Sequence, residues 1–517
     1  MNDAPVIALR ALSVDAGMRR LLGPLDLELR AGECLGLVGE SGSGKSLTAL
    51  SLLGLLPEGL QAHGGLVCDG GEVALHSPAH VALRGRTLGW IPQDPLATLH
   101  PLRTIGAQLT EALRLLRGLA RTQAAREAEA LLGRMQLPEP AVALRQYPHQ
   151  FSGGQRQRIA IALALATAPR VLIADEPTSA LDARIARDIL DLLDALRREH
   201  NLALLLISHD LPLVGAYAQR LLVLQRGVVV ERGDTRTVFA NPQHDYTREL
   251  LAADRLAPLP PARGDAPVLL RGEALRMRYP KATRDALAGV DIELRRGEGL
   301  ALVGESGSGK STLGRALLKL LRGVHGRVLL DGIDLGTLPA GELRRLRARI
   351  GVVFQDPYAS LDPRLRIAQI VAEPLRIHGR GDAASRRAKA GALLQAVGLD
   401  TDMLDRHPHQ FSGGQRQRIA IARALATDPD LLVCDEAVSA LDAHHRSAIL
   451  ALLARLKRER GLALLFVTHD FAAAAAVAER IAVLEDGRIV ETGATDAVLR
   501  APQHPHTQAL LAARPGA

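Results

Sequence analysis

The chain has 517 residues, of which 47% are hydrophobic and 23% are charged, and its formal net charge is +8. This length predicts two to four domains, each able to bury a core. We expect no membrane-spanning segment, because no run of 18 or more apolar residues lacks charges or breakers, and no secretion signal, because the start "MNDAPVIALR" lacks the required layout.

The charge and the cysteines exclude further classes. The basic residues are dispersed and there is no polybasic tail, so we expect no nucleic-acid partner despite the basic composition. Cys34, Cys68 and Cys434 are far apart and form no C-x-x-C pair. We therefore expect reduced, mostly buried thiols, and neither a disulfide nor a cysteine metal site.

The first predicted elements are antiparallel strands, "IALRALSV" and "LDLELRAGE", followed by a buried strand at 35–38. The next eight letters, "GESGSGKS" at 39–46, match the phosphate-binding pattern G-x-x-x-x-G-K-[ST] and open a predicted helix. Gly39, Gly42 and Gly44 allow successive N–H groups to face one anion, and the helix N-terminus adds partial positive charge. The segment is predicted to bind nucleotide phosphates.

Two side chains of this loop carry the chemistry. Lys45 can reach the outer phosphates, and Ser46 can ligate Mg²⁺. Lys45 is also the only lysine among residues 1–280 of an arginine-rich chain. Because an arginine has a planar fork and a different reach, this position indicates a requirement for lysine itself.

A helical insert is predicted from about 103 to 150, and "IPQDP" with Gln93 precedes it. A neutral amide at Gln93 could touch both metal and water, and so report the nucleotide state to the insert. The insert is followed by "FSGGQ" at 151–155, where a serine and two glycines open a long predicted helix. This is a second helix N-terminus able to bind an anion.

Two further buried strands end in polar residues. "VLIADE" ends in Asp175 and Glu176, and "SHD" places His209 at the end of the next strand. An aspartate there can hold the Mg²⁺ shell, the following glutamate can orient or deprotonate a water, and the histidine could donate a hydrogen bond to the γ-phosphate. The alternation of strands and helices predicts an α/β fold with a mostly parallel sheet.

All these features recur in a second copy, with an offset of 265 residues at the phosphate loop and 260 from "FSGGQ" onward. A period of this size indicates two whole domains. We predict a first domain at 1–253, a proline-rich linker at 254–267 and a second domain at 268–517. A cofactor set of ATP and Mg²⁺ is expected in each half.

The candidate residues follow from the two copies. The candidate nucleotide contacts of the first half are Gly39, Ser41, Gly42, Gly44, Lys45, Ser46, Thr48, Ser152, Gly153, Gly154 and Gln155. Those of the second half are Gly304, Ser306, Gly307, Gly309, Lys310, Ser311, Thr312, Ser412, Gly413, Gly414 and Gln415. The candidate catalytic residues are Glu176, Glu436, His209, His469, Gln93 and Gln355, and the candidate metal ligands are Ser46, Gln93, Asp175, Ser311, Gln355 and Asp435.

The duplication has a functional explanation. One ATP cannot easily occupy both anion-binding helix N-termini of one domain when a long insert separates them. It can be held between the phosphate loop of one half and the "SGGQ" of the other. We therefore predict a head-to-tail pair with two ATPs at the interface, and fusion of the halves raises their effective concentration.

Taken together, the motifs resemble a tandem ATPase of the ABC transporter superfamily along essentially the whole chain. Each half has the Walker A loop, Q-loop, signature, Walker B, D-loop ("SALD" at 179–182 and 439–442) and H-loop. The stretch "QDPLATLHPLRTIGAQLTEALR" and the tails "HDYTRELL" and "HPHTQALL" resemble the oligopeptide/dipeptide importers. This resemblance implies two P-loop ATPase domains, each with a mostly parallel core sheet, an antiparallel β subdomain and a helical subdomain.

The resemblance also implies a role. It implies ATP-driven uptake of peptides or of a relative's cargo (nickel chelates, glutathione or peptide-like antibiotics). The implied partners are two permease subunits and a periplasmic or lipid-anchored binding protein, with the chain peripheral at the cytoplasmic face of the bacterial inner membrane. The alternative is a soluble ABC ATPase acting on ribosomes or nucleic acid, but the short proline-rich linker and the tail elements disfavour it.

The two halves differ from each other in two places, and the chain differs from some relatives in a third. The second half has "DEAVSALD" where "DEPTSALD" is commoner, but its acids are intact, so we expect activity. Some relatives carry a cysteine-rich iron–sulfur tail, whereas no cysteine follows Cys434, so we expect no cluster. An aromatic residue upstream of the phosphate loop commonly stacks on adenine in this superfamily. Aligning "LRMRYP" with "LSVDAG" places Tyr279 in this role and Ala16 opposite it.

Overall fold

The computed structural model divides into two compact units, Met1–Ala252 and Ala253–Pro515. The residues that it describes are 4–178, 181, 183–253, 259, 266–280, 282–356, 360–438, 441 and 443–512. Among these residues, no helix is both long and apolar enough to cross a lipid bilayer.

The strands of the first unit form two sheets. They are β1 (Ile7–Ala16), β2 (Arg19–Leu29), β3 (Cys34–Gly39), β4 (Leu60–Cys68), β5 (Gly71–Val73), β6 (Leu88–Ile91), β7 (Val171–Asp175), β8 (Ala203–Ser208), β9 (Arg220–Gln225) and β10 (Val228–Asp234). One sheet is antiparallel in the order β2-β1-β4-β5, and the core sheet has the order β10-β9-β3-β8-β7-β6. All the core pairs are parallel except β9 with β10.

The core strands β3, β7 and β8 are buried at every residue, as expected for strands covered on both faces by other elements. The helices of this unit are α1 (Lys45–Leu53), α2 (Pro78–Ala82), α3 (Pro95–Thr98), α4 (Ile105–Arg117), α5 (Arg121–Arg134), α6 (Pro140–Ala143), α7 (Gly153–Leu165), α8 (Ala183–His200), α9 (Leu211–Tyr217), α10 (Thr235–Ala240) and α11 (Asp245–Ala253). A 3₁₀ turn spans Pro148–Gln150.

The second unit repeats this plan. Its strands are β11 (Val268–Met277), β12 (Leu287–Arg295), β13 (Gly299–Val303), β14 (His325–Leu330), β15 (Ile333–Asp334), β16 (Ile350–Val353), β17 (Leu431–Asp435), β18 (Ala463–Thr468), β19 (Arg480–Glu485) and β20 (Arg488–Ala494). The antiparallel sheet has the order β12-β11-β14-β15 and the core sheet the order β16-β17-β18-β13-β19-β20. The predicted α/β class, with a mostly parallel core sheet in each half, is confirmed.

The helices of the second unit are α12 (Lys310–Leu317), α13 (Ala340–Arg347), α14 (Ile367–Ile377), α15 (Ala383–Ala396), α16 (Gly413–Ala424), α17 (Ala443–Arg460), α18 (Phe471–Val477), α19 (Thr495–Arg500) and α20 (Pro505–Ala512). Two 3₁₀ turns span Thr401–Asp405 and Pro408–Gln410. Each predicted helical insert consists of several helices and turns.

Local signals in the sequence explain the boundaries of the first insert. Helix α4 begins where the Thr104 hydroxyl accepts a hydrogen bond from Ala107 N–H at 3.3 Å, and it ends at Gly118 in the left-handed conformation. One buried apolar cluster runs from Val38 of the core sheet through Leu109 and Leu132 of the insert to Ile161 of α7. The insert is therefore packed onto the core sheet, and the start of the insert lies beside the ends of the parallel strands.

Candidate active site

The phosphate loop of each unit connects a fully buried core strand to a helix, β3 to α1 and β13 to α12. A Cβ atom on Gly39 would lie 2.2 Å from the Leu224 carbonyl oxygen, and one on Gly304 would lie 2.4 Å from that of Leu484. Only glycine fits at this first position, because the neighbouring strand passes so close. Ser41, Gly42, Ser306 and Gly307 are exposed at the open side of the loops.

The two lysines are buried inside their loops, each only 4% exposed. Lys45 Nζ donates hydrogen bonds to the carbonyl oxygens of Gly39 at 2.7 Å and Glu40 at 2.8 Å. Lys310 Nζ makes the same two bonds, to Gly304 at 2.8 Å and Glu305 at 2.7 Å. A buried ammonium needs such partners, and both lysines are held at the place where phosphate would lie.

A serine and an aspartate meet at the end of each loop. Ser311 Oγ donates to Asp435 Oδ1 at 2.9 Å, and Ser46 makes the corresponding bond to Asp175. Burial raises the pKa of both aspartates, because the charged carboxylate loses its hydration. Asp175 Oδ1 is buried and has no hydrogen-bond partner among the residues that the structure describes.

This donor set fits a magnesium ion. Mg²⁺ prefers oxygen ligands and is bound through one or two carboxylates together with substrate phosphates. A hydroxyl and a poorly hydrated carboxylate with an unsatisfied oxygen lie beside the phosphate loop in the first unit. A divalent cation would satisfy that oxygen and compensate the buried negative charge.

The carboxylates of Glu176 and Glu436 lie one residue beyond these aspartates, at the ends of β7 and β17. Both residues have φ of 48°, a left-handed conformation that glutamate adopts at a cost. Their backbone N–H groups donate to Ile207 and Val467 of the neighbouring strand, each at 2.9 Å. The strained backbone turns each side chain out of the strand and toward the loop, and Glu176 Oε1 lies 3.8 Å from Lys45 Nζ.

Each glutamate also meets the predicted glutamine. Gln93 Nε2 donates to Glu176 Oε2 at 3.1 Å, and Gln355 Nε2 donates to Glu436 Oε2 at 2.7 Å. These glutamines follow β6 and β16, at the start of the insert. The nucleotide-facing carboxylate and the helical insert are therefore joined by one hydrogen bond in each unit.

The predicted histidines complete each group. His209 Nδ1 lies 3.2 Å from Glu176 Oε2, and His469 Nδ1 lies 4.0 Å from Glu436 Oε1. The second distance is too long for a direct hydrogen bond, but His469 remains the main cause that lowers the pKa of Glu436. Loop, aspartate, glutamate, glutamine and histidine thus come together within each unit.

The "FSGGQ" segments form the N-termini of α7 and α16. Ser152 Oγ accepts from Gln155 N–H at 3.4 Å, and Ser412 Oγ accepts from Gln415 N–H at 3.3 Å, which caps both helices. A Cβ on Gly154 would lie 2.7 Å from Ile185, and one on Gly414 would lie 2.4 Å from the His445 ring. The second glycine is therefore explained by the close approach of α8 or α17, whereas Gly153 and Gly413 have more room.

The D-loop residues 179, 180, 182, 439, 440 and 442 lie outside the described residues.

The inclusion of Thr48 among the nucleotide contacts is wrong. Its side chain is fully buried, and its hydroxyl donates to the Gly44 carbonyl at 3.0 Å within α1. In the second unit the position of Thr312 follows Ser311 directly, and its equivalent in the first unit is Leu47, not Thr48. The first unit therefore lacks this hydroxyl.

Tyr279 lies where the alignment placed it. Ala11 and Ala274 both have a left-handed backbone, with φ of 45° and 47°, and mark the same bulge in β1 and β11. Counting five residues on from each alanine makes Ala16 and Tyr279 equivalent. The Tyr279 hydroxyl lies 3.2 Å from Thr312 Oγ1, so this ring is next to the start of α12.

One further residue at the phosphate loop comes from the tail of the first unit and was not among the predicted contacts. The Tyr246 hydroxyl, from the C-terminal helix α11 of the first unit, accepts a hydrogen bond from Glu40 N–H at 2.9 Å. The tail motif "HDYT" indicates the subfamily and does not by itself predict this contact. Its two copies differ at this residue, which is His506 in the second half, and that difference was the only available signal.

Comparisons with known proteins agree with this geometry. The family model described as "ABC transporter" matches residues 22–179 and 287–439. The model described as "Oligopeptide/dipeptide transporter, C-terminal region" matches residues 230–261 and 490–517. The chain is 44% identical to the glutathione import ATP-binding protein GsiA of Escherichia coli (strain K12), over 95% of this chain and 86% of that protein. The protein of the same name from Shigella flexneri is 43% identical over the same shares.

Among solved structures, the chain is similar to a dimeric post-hydrolysis state of the ATP-binding cassette MJ0796 bound to ADP and Pi. The identity is 34% and the TM-score is 0.41, and the match covers 44% of this chain and 99% of that one. It is also similar to cbiO1 from Clostridium perfringens, part of the ABC transporter complex cbiONQ. The identity is 29% and the TM-score is 0.41, and the match covers 46% of this chain and 96% of that one. The curated relatives above are import subunits, which leaves the alternative of a ribosome or nucleic-acid ATPase without support.

Proposed function

This chain belongs to the ABC transporter family as a tandem ATP-binding, ATP-hydrolysing subunit, and we propose from this premise that it drives uptake of peptides or peptide-like solutes. The observation that carries the proposal is the pair of phosphate loops, each with its own aspartate, glutamate, glutamine and histidine, in a chain whose two tails match the oligopeptide/dipeptide transporter model. Glutathione is itself a tripeptide, so it is the first cargo to test.

We propose that each of the two ATP molecules is held by both halves, as the head-to-tail pairing predicts. In this arrangement Lys45 and its loop face the Ser412–Gln415 helix N-terminus, and Lys310 and its loop face Ser152–Gln155. Support comes from the two anion-binding helix N-termini in each unit, both opened by glycines. ATP binding then closes the halves and hydrolysis reopens them.

Within each site the residues have distinct roles. The loop N–H groups and the lysine bind the β- and γ-phosphates, and the glutamate orients the attacking water and accepts its proton. The histidine holds that glutamate and the γ-phosphate in place. Mg²⁺, held by Ser46 with Asp175 or Ser311 with Asp435 together with the glutamine, would neutralise charge on the phosphates when bound.

The partners are two membrane permease subunits and a solute-binding protein outside the cytoplasm. The chain itself lies at the cytoplasmic face of the inner membrane and is held there by the permeases. Hydrogen bonds from Gln93 and Gln355 to the catalytic glutamates couple each ATP site to the permeases. They connect the nucleotide to the start of the helical insert, which presses on the permease.

The surface for the permease is a groove between the core sheet and the insert. It has a volume of about 570 Å³ in the first unit and about 640 Å³ in the second. Leu163 lines the first groove, together with Trp90 and Leu115, whereas the equivalent position in the second is Arg423, near Arg347. Charged residues of both signs also line both grooves, among them Arg103 and Glu111 in the first and Arg347 and Glu373 in the second. The two grooves therefore differ at this one position, where leucine suits an apolar contact and arginine suits an acidic one.

Exchanging these two residues is expected to weaken permease binding. Arg423→Leu removes the charge that an acidic segment would meet, and Leu163→Arg places a charge against an apolar one. The measurement is the amount of each permease that copurifies with the full-length chain. Arg488→Leu, an exposed change in β20 outside the groove, is the control. Equal recovery with all three variants would contradict this assignment of the grooves.

The transport proposal has a direct test. The chain is coexpressed with candidate permease subunits of the oligopeptide/dipeptide importer type, and the complex is reconstituted with a solute-binding protein in lipid vesicles. We expect ATP hydrolysis to rise when glutathione or a short peptide is added with the binding protein, and the solute to accumulate on the same side of the membrane as the ATPase. Hydrolysis that responds to neither glutathione nor any peptide in a mixed library would contradict the proposed cargo class.

The difference between Tyr279 and Ala16 predicts unequal ATP affinities. Stacking of an aromatic ring on a base contributes roughly 1–3 kcal/mol, which is about 5- to 150-fold in affinity. With the other site disabled at Lys45 or Lys310, the site of the first half should bind ATP more weakly. Tyr279→Ala should weaken the second site toward the first, Ala16→Tyr should strengthen the first, and Tyr279→Phe, which keeps the ring, should change little.

Equilibrium ATP titration of each single-site chain measures this difference. Equal affinities in the parent, together with no response to Tyr279→Ala, would show that the ring does not contact adenine.

A further inference from the structure

The C-terminal element of the first unit reaches its phosphate loop. Tyr246, in the first turn of α11, is 3% exposed, and its hydroxyl accepts a hydrogen bond from Glu40 N–H at 2.9 Å. The two residues are 206 positions apart in the chain. The segment before α11 is anchored to β10, because the Glu231 carboxylate accepts from Gln243 N–H at 2.8 Å and His244 N–H at 3.1 Å.

The hydrogen bond to Tyr246 acts on the peptide unit that holds the phosphate-loop lysine. The N–H of Glu40 and the carbonyl of Gly39 belong to one planar peptide group. That carbonyl accepts from Lys45 Nζ at 2.7 Å. Tyrosine, peptide and lysine therefore form a continuous hydrogen-bonded chain, in which each bond polarises the next.

We propose that Tyr246 is a positioning residue for ATP: its hydroxyl fixes the orientation of the Gly39–Glu40 peptide, and this peptide holds Lys45 where the phosphates bind. The proposal rests on the phosphate-loop assignment made above. It gives the C-terminal element of the first half a role in nucleotide binding within its own unit.

The second unit keeps the tail but changes the contact. Glu491 anchors it through Gln503 N–H at 2.8 Å and His504 N–H at 3.1 Å, as Glu231 does in the first unit. His506 replaces the tyrosine, and its Nδ1 lies 3.1 Å from Glu485 Oε1. Its Nε2 is buried and finds no hydrogen-bond partner within the described part of the chain.

The partner of His506 has changed as well. Glu485 is the equivalent of Gln225 in the first half, so the pair Tyr246 and Gln225 corresponds to the pair His506 and Glu485. The imidazole is directed to a carboxylate at the end of β19. In the second unit this tail residue is thus paired with the end of β19, and the tyrosine-dependent positioning belongs to the first site.

The test measures ATP binding at the first site alone, in the full-length chain carrying Lys310→Ala. Tyr246→Phe removes the hydroxyl and keeps the ring. We expect ATP affinity to fall about fivefold, the size expected for one hydrogen bond. The KM for ATP should rise by a similar factor, while kcat at saturating ATP stays within about twofold. The matched control is Tyr217→Phe, which removes a hydroxyl bonded to Asp191 at 2.7 Å in the same unit.

A reciprocal variant keeps the proposal testable if Tyr246→Phe also lowers the melting temperature. In a chain carrying Lys45→Ala, His506→Tyr combined with Glu485→Gln rebuilds the first-half pair beside Lys310, and ATP affinity at the second site should increase. Equal affinities for Tyr246→Phe and Tyr217→Phe, or no gain in the reciprocal variant, would overturn the proposal. Unchanged ATP binding after Lys45→Ala would instead contradict the phosphate-loop assignment.

Discussion

Replacing Glu436 with glutamine is expected to lower ATP hydrolysis at the second site by about 10²- to 10⁴-fold, the usual contribution of a general base. ATP binding should remain, because glutamine keeps the size of the side chain and Lys310 still holds the phosphates. The carboxylate lies 2.7 Å from Gln355 Nε2, and His469 lowers its pKa, so at neutral pH it is ionised and able to accept a proton. Glu176→Gln should have the same effect at the first site.

The measurement is steady-state phosphate release together with equilibrium ATP binding for each single variant and for the double variant. We expect the double variant to accumulate with ATP bound and the halves closed. Glu342→Gln, an exposed change in the first turn of α13, removes the same charge from the same unit and serves as control. Hydrolysis at the parental rate in both single variants would show that these glutamates are not the base.

Lys45→Arg is expected to reduce ATP affinity at the first site by about tenfold or more, although the charge is unchanged. The ammonium is 4% exposed and fits between two carbonyl oxygens, Gly39 O and Glu40 O. A guanidinium is larger and planar, and cannot make both bonds from the same position. Each hydrogen bond to a charged group contributes about 1.5–3 kcal/mol, so the loss of one is sufficient for this effect.

The affinity is measured in the chain carrying Lys310→Ala, so that only the first site binds. Lys389→Arg is the matched control, because Lys389 forms a partly exposed ion pair with Asp428 at 2.8 Å, where either cation is tolerated. Wild-type affinity and hydrolysis in Lys45→Arg would mean that charge alone is required at this position.

Much of the candidate site could be predicted because its parts are local in the chain. A phosphate loop is eight consecutive residues between a strand and a helix, and its glycines and lysine are visible in the sequence. Parallel strands place their carboxyl ends at one edge of a sheet, so the residues after β3, β7 and β8 had to lie near one another. The structure brings Lys45, Glu176 and His209 together in this way.

The sequence was a poorer guide to which side of an element a residue faces. Thr48 follows Lys45 by three residues, close to one helical turn, and the motif suggested that it faced the nucleotide. In the structure the helix packs against the core on that side, so the hydroxyl is buried and bonds to Gly44 O. Burial of a helix face depends on what packs against it, and this information is not local.

The sequence by itself determined the duplication, the α/β class, the two phosphate loops and the acids, glutamines and histidines around them, because short-range patterns and strand order dictate these features. Only the tertiary structure decided that Tyr246 contacts Glu40 across 206 positions, and that Leu163 and Arg423 line equivalent grooves of the two units. Such contacts form between elements that meet only when the core packs. Their geometry is fixed by the burial of the whole apolar surface, which no short stretch of sequence specifies.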